Sequence, residues 1–194
     1  MAKVKFNLRQ VHVAPMLTDT TWGDPVAVPG AVGLTLDAAG DENTFYADGK
    51  PYFVYTKNNG YTGTLEVAMF PDDLLAKLLG WFIDSKGKLV EDANGKPVKF
   101  ALSYEVETDE QERRSVLYEC QISRPSDNAK TTEGGVEPQT DTVNITAIPH
   151  DFDTVTAVKA VCHGGNDEFD VFFDSVVAPA AKATQASVPA KNQD

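Results

Sequence analysis

Apolar residues fall at every second position in one stretch of this chain after another, and that period of two constrains the fold more than any other feature. Val98, Phe100, Leu102, Tyr104 and Val106 alternate with Lys99, Ser103, Glu105 and Glu107. Val116, Tyr118, Cys120 and Ile122 then alternate with Ser115, Glu119, Gln121 and Ser123. Side chains on an extended strand point to opposite faces in turn, so such runs predict strands with one packed and one wet face. Joined by the polar turn Thr108 to Glu112, the two read as a long antiparallel hairpin. Val32-Leu34-Leu36, Leu65-Val67-Met69, Val143-Ile145-Ala147 and Phe169-Val171-Phe173 repeat the pattern. Val155 to Cys162 is apolar on both phases, as in a strand buried on both faces. The fold class predicted is mainly β.

One segment reads as helix, Pro71 to Leu79, closed by Gly80. Proline suits the first helical position, Asp72 and Asp73 complement the positive end of the helix dipole, and glycine suits the position past the end. Leu74, Leu75, Leu78 and Leu79 form one apolar stripe that must lie on a sheet. Beyond it, Asp84 to Gly87 and Ala93 to Lys96 are turn sequences around a short strand, Lys88 to Glu91.

Between Asp37 and Thr56 the chain makes an excursion in which Phe45 and Tyr46 on one arm face Tyr52, Phe53 and Tyr55 on the other across an Asp48-Gly49 turn. A projecting hairpin this aromatic has more apolar surface than a lone hairpin hides, which predicts a partner surface; packing back onto the domain is the plainer alternative. From Val177 to Asp194, Ala, Pro, Lys, Thr, Gln and Ser dominate, as in a flexible tail, so residues 1–176 are expected to form the domain.

With 194 residues and 42% hydrophobic content, one domain buries about 70% of the surface its unfolded chain exposes and needs no staples. Cys120 and Cys162 sit inside strands and read as reduced, buried small hydrophobes. The first nine residues alternate charged and apolar side chains, so no secretory leader is expected, and nothing approaches the length of a membrane span. A formal charge of −12 is the wrong sign for gripping phosphates. It keeps a protein soluble and repels nucleic acid.

Chemistry is sparse. His12, His150 and His163 are isolated, and neighbouring Cys162 and His163 point to opposite sides of a strand, so no metal site and no cofactor is expected. Carboxylates cluster at Glu105, Glu107, Asp109, Glu110 and Glu112, and at Asp167, Glu168, Asp170 and Asp174, on wet faces or in turns where water keeps them ionised. A hydrolase acid pair needs one held protonated. No nucleophile elbow, Walker loop or dinucleotide fingerprint is present, and no enzyme is expected.

Leu117 to Ser123 and Asp141 to Ala147 are joined by a polar loop, Arg124 to Thr140. The run they make, YECQISRPS followed by VEPQTDTVNITAIP, resembles the signature region of the major tail tube proteins of long, non-contractile-tailed phages, the phi13-type family. In the same order come YTGTLEVAMFPDDLL, LGWFIDSKGKLVE and KFALSYEVETDEQERRSVLYEC, so the resemblance spans about Val4 to Phe173. It implies a two-sheet β-sandwich with one flanking helix and a long projecting hairpin, whose subunits form hexameric rings stacked into a hollow tube. The tube belongs to the virion tail, is assembled in the host cytoplasm, and passes viral DNA without binding it specifically. Its partners are further copies of itself and the tape measure, tail terminator and distal tail proteins.

By that resemblance the hairpin and the loop 124–140 are the expected contacts between subunits or rings, with Phe45, Tyr46, Tyr52 and Arg124 as contact residues, since aromatics and arginine dominate interface energetics. Glu105, Glu107, Glu119 and Asp170 are the expected acidic lining of the channel, though Lys99 shares a face with two of them. The alternative is a monomeric carbohydrate-binding or adhesion module that stacks sugars on Trp22, Tyr46, Tyr52, Tyr55 and Tyr61.

Overall fold

A computed structural model describes residues 4–126, 129, 131 and 138–181. The tail from residue 182 and most of the loop between Ser126 and Pro138 lie outside the described residues, and with them the expected flexible tail and most of the expected loop contact.

The chain is mainly β with one helix. In order the strands are β1 (Lys5–Thr18), β2 (Thr21–Trp22), β3 (Val26–Ala27), β4 (Ala31–Ala47) and β5 (Lys50–Val67), then helix α1 (Asp72–Leu79). They continue with β6 (Phe82–Ile83), β7 (Leu89–Val90), β8 (Phe100–Thr108), β9 (Arg113–Ile122), β10 (Asp141–Ile148), β11 (His150–Asp151), β12 (Thr156–Ala157) and β13 (Lys159–His163). Nine strands form one antiparallel sheet in the order β2-β1-β8-β9-β10-β5-β4, with β13 beside β9 and β3 beside β1; β6-β7 and β11-β12 are small separate pairs. Although β1 and β4 stand near opposite ends of that path, they touch, so the sheet curls around its core.

Two bulges in β1 produce part of that curl. Pairing with β8 shifts by one residue between Phe6 and Leu8 and again between Arg9 and His12. Asn7 and Gln10 take up the slack at φ 54 for each, a left-handed backbone that few non-glycine residues adopt. An extra residue on one strand bends it and increases its twist.

The concave side holds the main core, in which Leu65, Val67, Leu102, Leu117, Val143 and Ile145 pack against the α1 leucines. Strand β10 follows its sequence pattern closely, with Val143, Ile145 and Ala147 inward and the residues between them exposed. The helix also matches expectation in its buried Leu74, Leu75, Leu78 and Leu79 and in Gly80, left-handed at φ 70. Pro71 falls one residue earlier than predicted: at ψ 131 it is the extended residue before the helix. In the Asp84 turn, the carboxylate accepts from the amides of Lys86 and Lys88 at 2.8 and 2.9 Å, setting up the β6-β7 pair.

Three strand expectations are corrected. The β8-β9 hairpin has no wet face over its central part, because a second cluster covers its convex side: Trp22, Phe152, Ala157, Phe172 and Val176 lie on Ala14, Ala101, Val116 and Tyr118. Within β9 the alternation breaks: Phe100 pairs with Cys120 but Leu102 with Leu117, an extra residue that puts Leu117 and Cys120 in the main core and Tyr118 in the outer cluster. Phe169 to Phe173 is a run of turns, with amides of Phe169, Phe172 and Asp174 each donating to the carbonyl three residues back. The apolar stretch 155–162 is two short strands, and Val161 is exposed rather than buried on both faces.

Candidate functional site

The long hairpin β4-β5 leaves the body of the sheet. Its tip is a two-residue turn, Ala47 pairing with Lys50. Asp48 and Gly49 both have positive φ, 52 and 70, the turn whose twist matches that of the strands it joins. At the base, Ala39 pairs with Gly60 but Gly40 with Asn58, so Asn59 is an inserted residue. Gly60, at φ 101, passes so close to β10 that a Cβ there would lie 1.9 Å from the Ala147 carbonyl oxygen. Asn58 accepts from the Gly60 amide at 2.9 Å, and Asn59 donates to Asp41 at 2.7 Å, tying the bulge together. Pairing between β5 and β10 ends at Tyr61 and Ala147, so everything beyond Gly60 has only its own partner arm.

On this extension Phe45, Tyr46 and Tyr52 are 61, 63 and 75% exposed, and Phe53, Val54 and Tyr55 are exposed with them. Four consecutive exposed residues, Tyr52 to Tyr55, mean that both faces of the hairpin are bare. Contiguous apolar surface of this kind marks an interaction site more often than it occurs by chance. Three of the four expected contact residues thus share one projecting element. Arg124 stands apart, paired with Glu91 at 2.6 Å beside a groove lined by Trp81, Thr142 and Asn144.

The four expected lining carboxylates do not form one surface. Glu105 is 1% exposed, clamped by Arg9 and by Arg114, whose Nε donates at 2.7 Å. Arg9 also holds Glu107 and Glu112. The Arg114 guanidinium lies 3.9 Å from the centre of the Phe169 ring and 4.8 Å from that of Phe173, and it donates to the Phe169 carbonyl. Glu119 is buried as well: Lys99 Nζ reaches Oε1 at 2.6 Å and His150 Nδ1 meets Oε2 at 2.7 Å. Burial alone would raise the Glu119 carboxyl, but the hydrogen bonds and charges of Lys99 and His150 outweigh it and hold the group below the usual carboxylate range. The wet-face reading of Glu105 and Glu119 is therefore corrected, because each is neutralised by cations the alternation pattern does not reveal. Glu107 is half-buried, and Asp170 alone of the four is exposed.

His150 is 4% exposed, packed between Trp22 and Phe152 at ring distances of 5.3 and 4.6 Å, with Nε2 unpartnered among the described residues. Burial pushes the neighbouring Tyr118 phenol up to about 12. Both cysteines are free and buried, and burial pushes the Cys120 thiol far above its ordinary range. Among the described residues no group of three His, Cys, Asp or Glu side chains is placed to hold a metal ion, and no helix is long and apolar enough to cross a membrane.

Where β1 passes β4 a cleft of about 370 Å³ opens, walled by Phe6, Leu8, Leu34, Leu36 and Val106, with Tyr61 and Tyr104 behind and Lys5 and Lys159 at hand. No protein-family model matches the chain, and no curated protein matches it either. Sequence reasoning missed Arg9, His150 and Lys159 as organising residues, since each acts on partners far along the chain, and it missed Arg114 although Glu105 lies directly across the predicted hairpin.

Proposed function

We propose that this chain is a structural virion protein whose copies assemble into stacked hexameric rings, forming a tail tube of the phi13-type kind through which DNA passes to the host. One observation carries the reading: a long hairpin, bare and aromatic on both faces, that projects beyond the last strand able to support it. A monomer gains nothing from exposing such an element, whereas a repeating assembly covers it at every contact. The strand order supports the same reading. With β4 at the end of the path, a 17-residue strand has one edge without a ladder partner among the described residues. Long bare edges invite pairing with another chain, and closure around a ring removes them.

In this account the curled sheet acts as the two layers of a sandwich, the half built on β1 and β8 facing the half built on β5 and β4. An acidic channel wall would draw on exposed carboxylates such as Asp170 rather than on the compensated Glu105 and Glu119, in a chain whose formal charge is −12. Like charge keeps DNA from adhering while it slides. Tape measure, terminator and distal tail proteins are the expected neighbours at the tube ends. Electron microscopy of the purified chain over a range of concentrations tests the reading, with rings and hollow tubes the expected result. Monomers that bind glycans through the hairpin tyrosines would replace it with the adhesion-module alternative.

A further inference from the structure

Lys159 is a cation in search of an anion. It is half-buried at the start of β13, where Nζ donates to Tyr104 Oη at 2.6 Å and lies 5.3 and 5.8 Å from the ring centres of Tyr104 and Tyr61. Among the described residues its partners are the Tyr104 hydroxyl and the Tyr104 and Tyr61 rings, with no carboxylate at ion-pair distance, in a chain with 29 acidic residues. A partly desolvated ammonium is stabilised most by a carboxylate brought in from outside. The space in front of it is the cleft between β1 and β4, whose walls Leu8, Leu34, Leu36 and Val106 are apolar. A ligand suited to this site carries a carboxylate and aromatic or aliphatic bulk together.

The hairpin tip carries both. Asp48 sits at the turn, with Tyr46 and Tyr52 flanking it and Phe45 one step further along, all exposed. The tip cannot serve its own cleft, because roughly 35 Å of extended strand separates Leu36 from Ala47 on β4 itself. We propose that the cleft receives the hairpin tip of a second copy, with its aromatic side chains between β1 and β4 and its Asp48 carboxylate on Lys159. Tip and cleft are different patches, so the contact is head-to-tail and repeats from copy to copy, as rings and tubes require. The inference rests on the assembly reading above and names the two surfaces that meet.

The test is a double-mutant cycle on the full chain with Lys159→Met, which keeps the apolar stem, and Asp48→Asn, which tolerates the positive φ. The readout is the protein concentration at which assemblies appear in sedimentation and electron microscopy, with circular dichroism confirming the fold. Each single change is expected to raise that concentration about tenfold, and the double change by no more than either alone, since each removes the same pair. Lys159→Arg should restore most of the loss. Independent effects that multiply in the double variant overturn the pairing, as does assembly at unchanged concentration. If Lys159→Met fails to fold, Asp48→Asn on the exposed turn still decides: normal assembly rules the docking out. Should the unmodified chain assemble while these variants do so equally well, the docking alone is wrong. Absence of any assembly by the unmodified chain would remove the assembly reading and the docking together.

Discussion

Glu105→Gln is the sharpest probe of what holds the curled sheet in shape. The carboxylate is 1% exposed and accepts from two guanidinium groups, Arg9 on β1 and Arg114 on β9, so it bolts β1 to the β8-β9 hairpin next to the two β1 bulges. Glutamine is the same size but uncharged, and it turns one acceptor into a donor that must face a guanidinium N–H. Removing one partner from a buried ion pair costs about 3–5 kcal/mol. The lower end applies here, because Arg9 keeps Glu107 and Glu112 and is over a third exposed, while Arg114 keeps the Phe169 carbonyl and two rings. A loss of about 3 kcal/mol is a substantial part of a typical 5–15 kcal/mol stability. It corresponds to a fall of about 6–12 °C in Tm for a chain of this size. Glu107→Gln is the control: that side chain is 23% exposed and holds one arm of Arg9, so it should cost under about 1 kcal/mol. Urea unfolding of both variants against the parent provides the comparison. Equal, small losses would mean that the Glu105 site is hydrated and that the cluster does not pin β1.

Three further outcomes are expected. Glu119 has a folded-state pKa below its ordinary value, so its contribution is present above the usual glutamate range and disappears as pH falls through the depressed value. Lys99→Met should shift that loss to higher pH, and superimposable urea midpoints against pH would count against the Lys99–Glu119–His150 arrangement. Gly63→Ala should cost about 3 kcal/mol, because a Cβ would stand 1.8 Å from the Thr35 carbonyl oxygen and force β4 off β5; near-normal stability would show that the strands separate freely. Phe45→Ser with Tyr46→Ser should leave the domain folded, with a loss under about 1.5 kcal/mol since both rings are mostly exposed, while impairing assembly. Global unfolding of that variant would mean the rings belong to a core.

Local physics was legible wherever neighbours along the chain decide the outcome. Val143, Ile145 and Ala147 alternate because one face of β10 meets the core and the other does not, and the α1 leucines repeat because one stripe is covered. The hairpin tip followed from Asp48-Gly49, the dipeptide that a tight turn with two positive φ values favours. Alternation misled where a single inserted residue reversed it, as between Leu117 and Cys120, and where apolar residues two apart, Phe169, Val171 and Phe173, belong to turns that clasp Arg114 rather than to a strand. Glu105 and Glu119 look like surface carboxylates in their own strands. Arg114 stands directly across the β8-β9 hairpin from Glu105, but Arg9 lies 96 positions from Glu105 and His150 lies 31 from Glu119, and nothing local to either glutamate signals those two pairings. At the candidate site the aromatic hairpin could be read directly, but the cleft could not, because it exists only where the curl brings β1 against β4.

The most direct measurement is electron microscopy of the purified full chain from dilute to concentrated solution, with sedimentation on the same samples. The account predicts sixfold rings with an open centre that lengthen into tubes as concentration rises. A homogeneous monomer at every concentration, with the hairpin tyrosines as accessible at the highest as at the lowest, would contradict it.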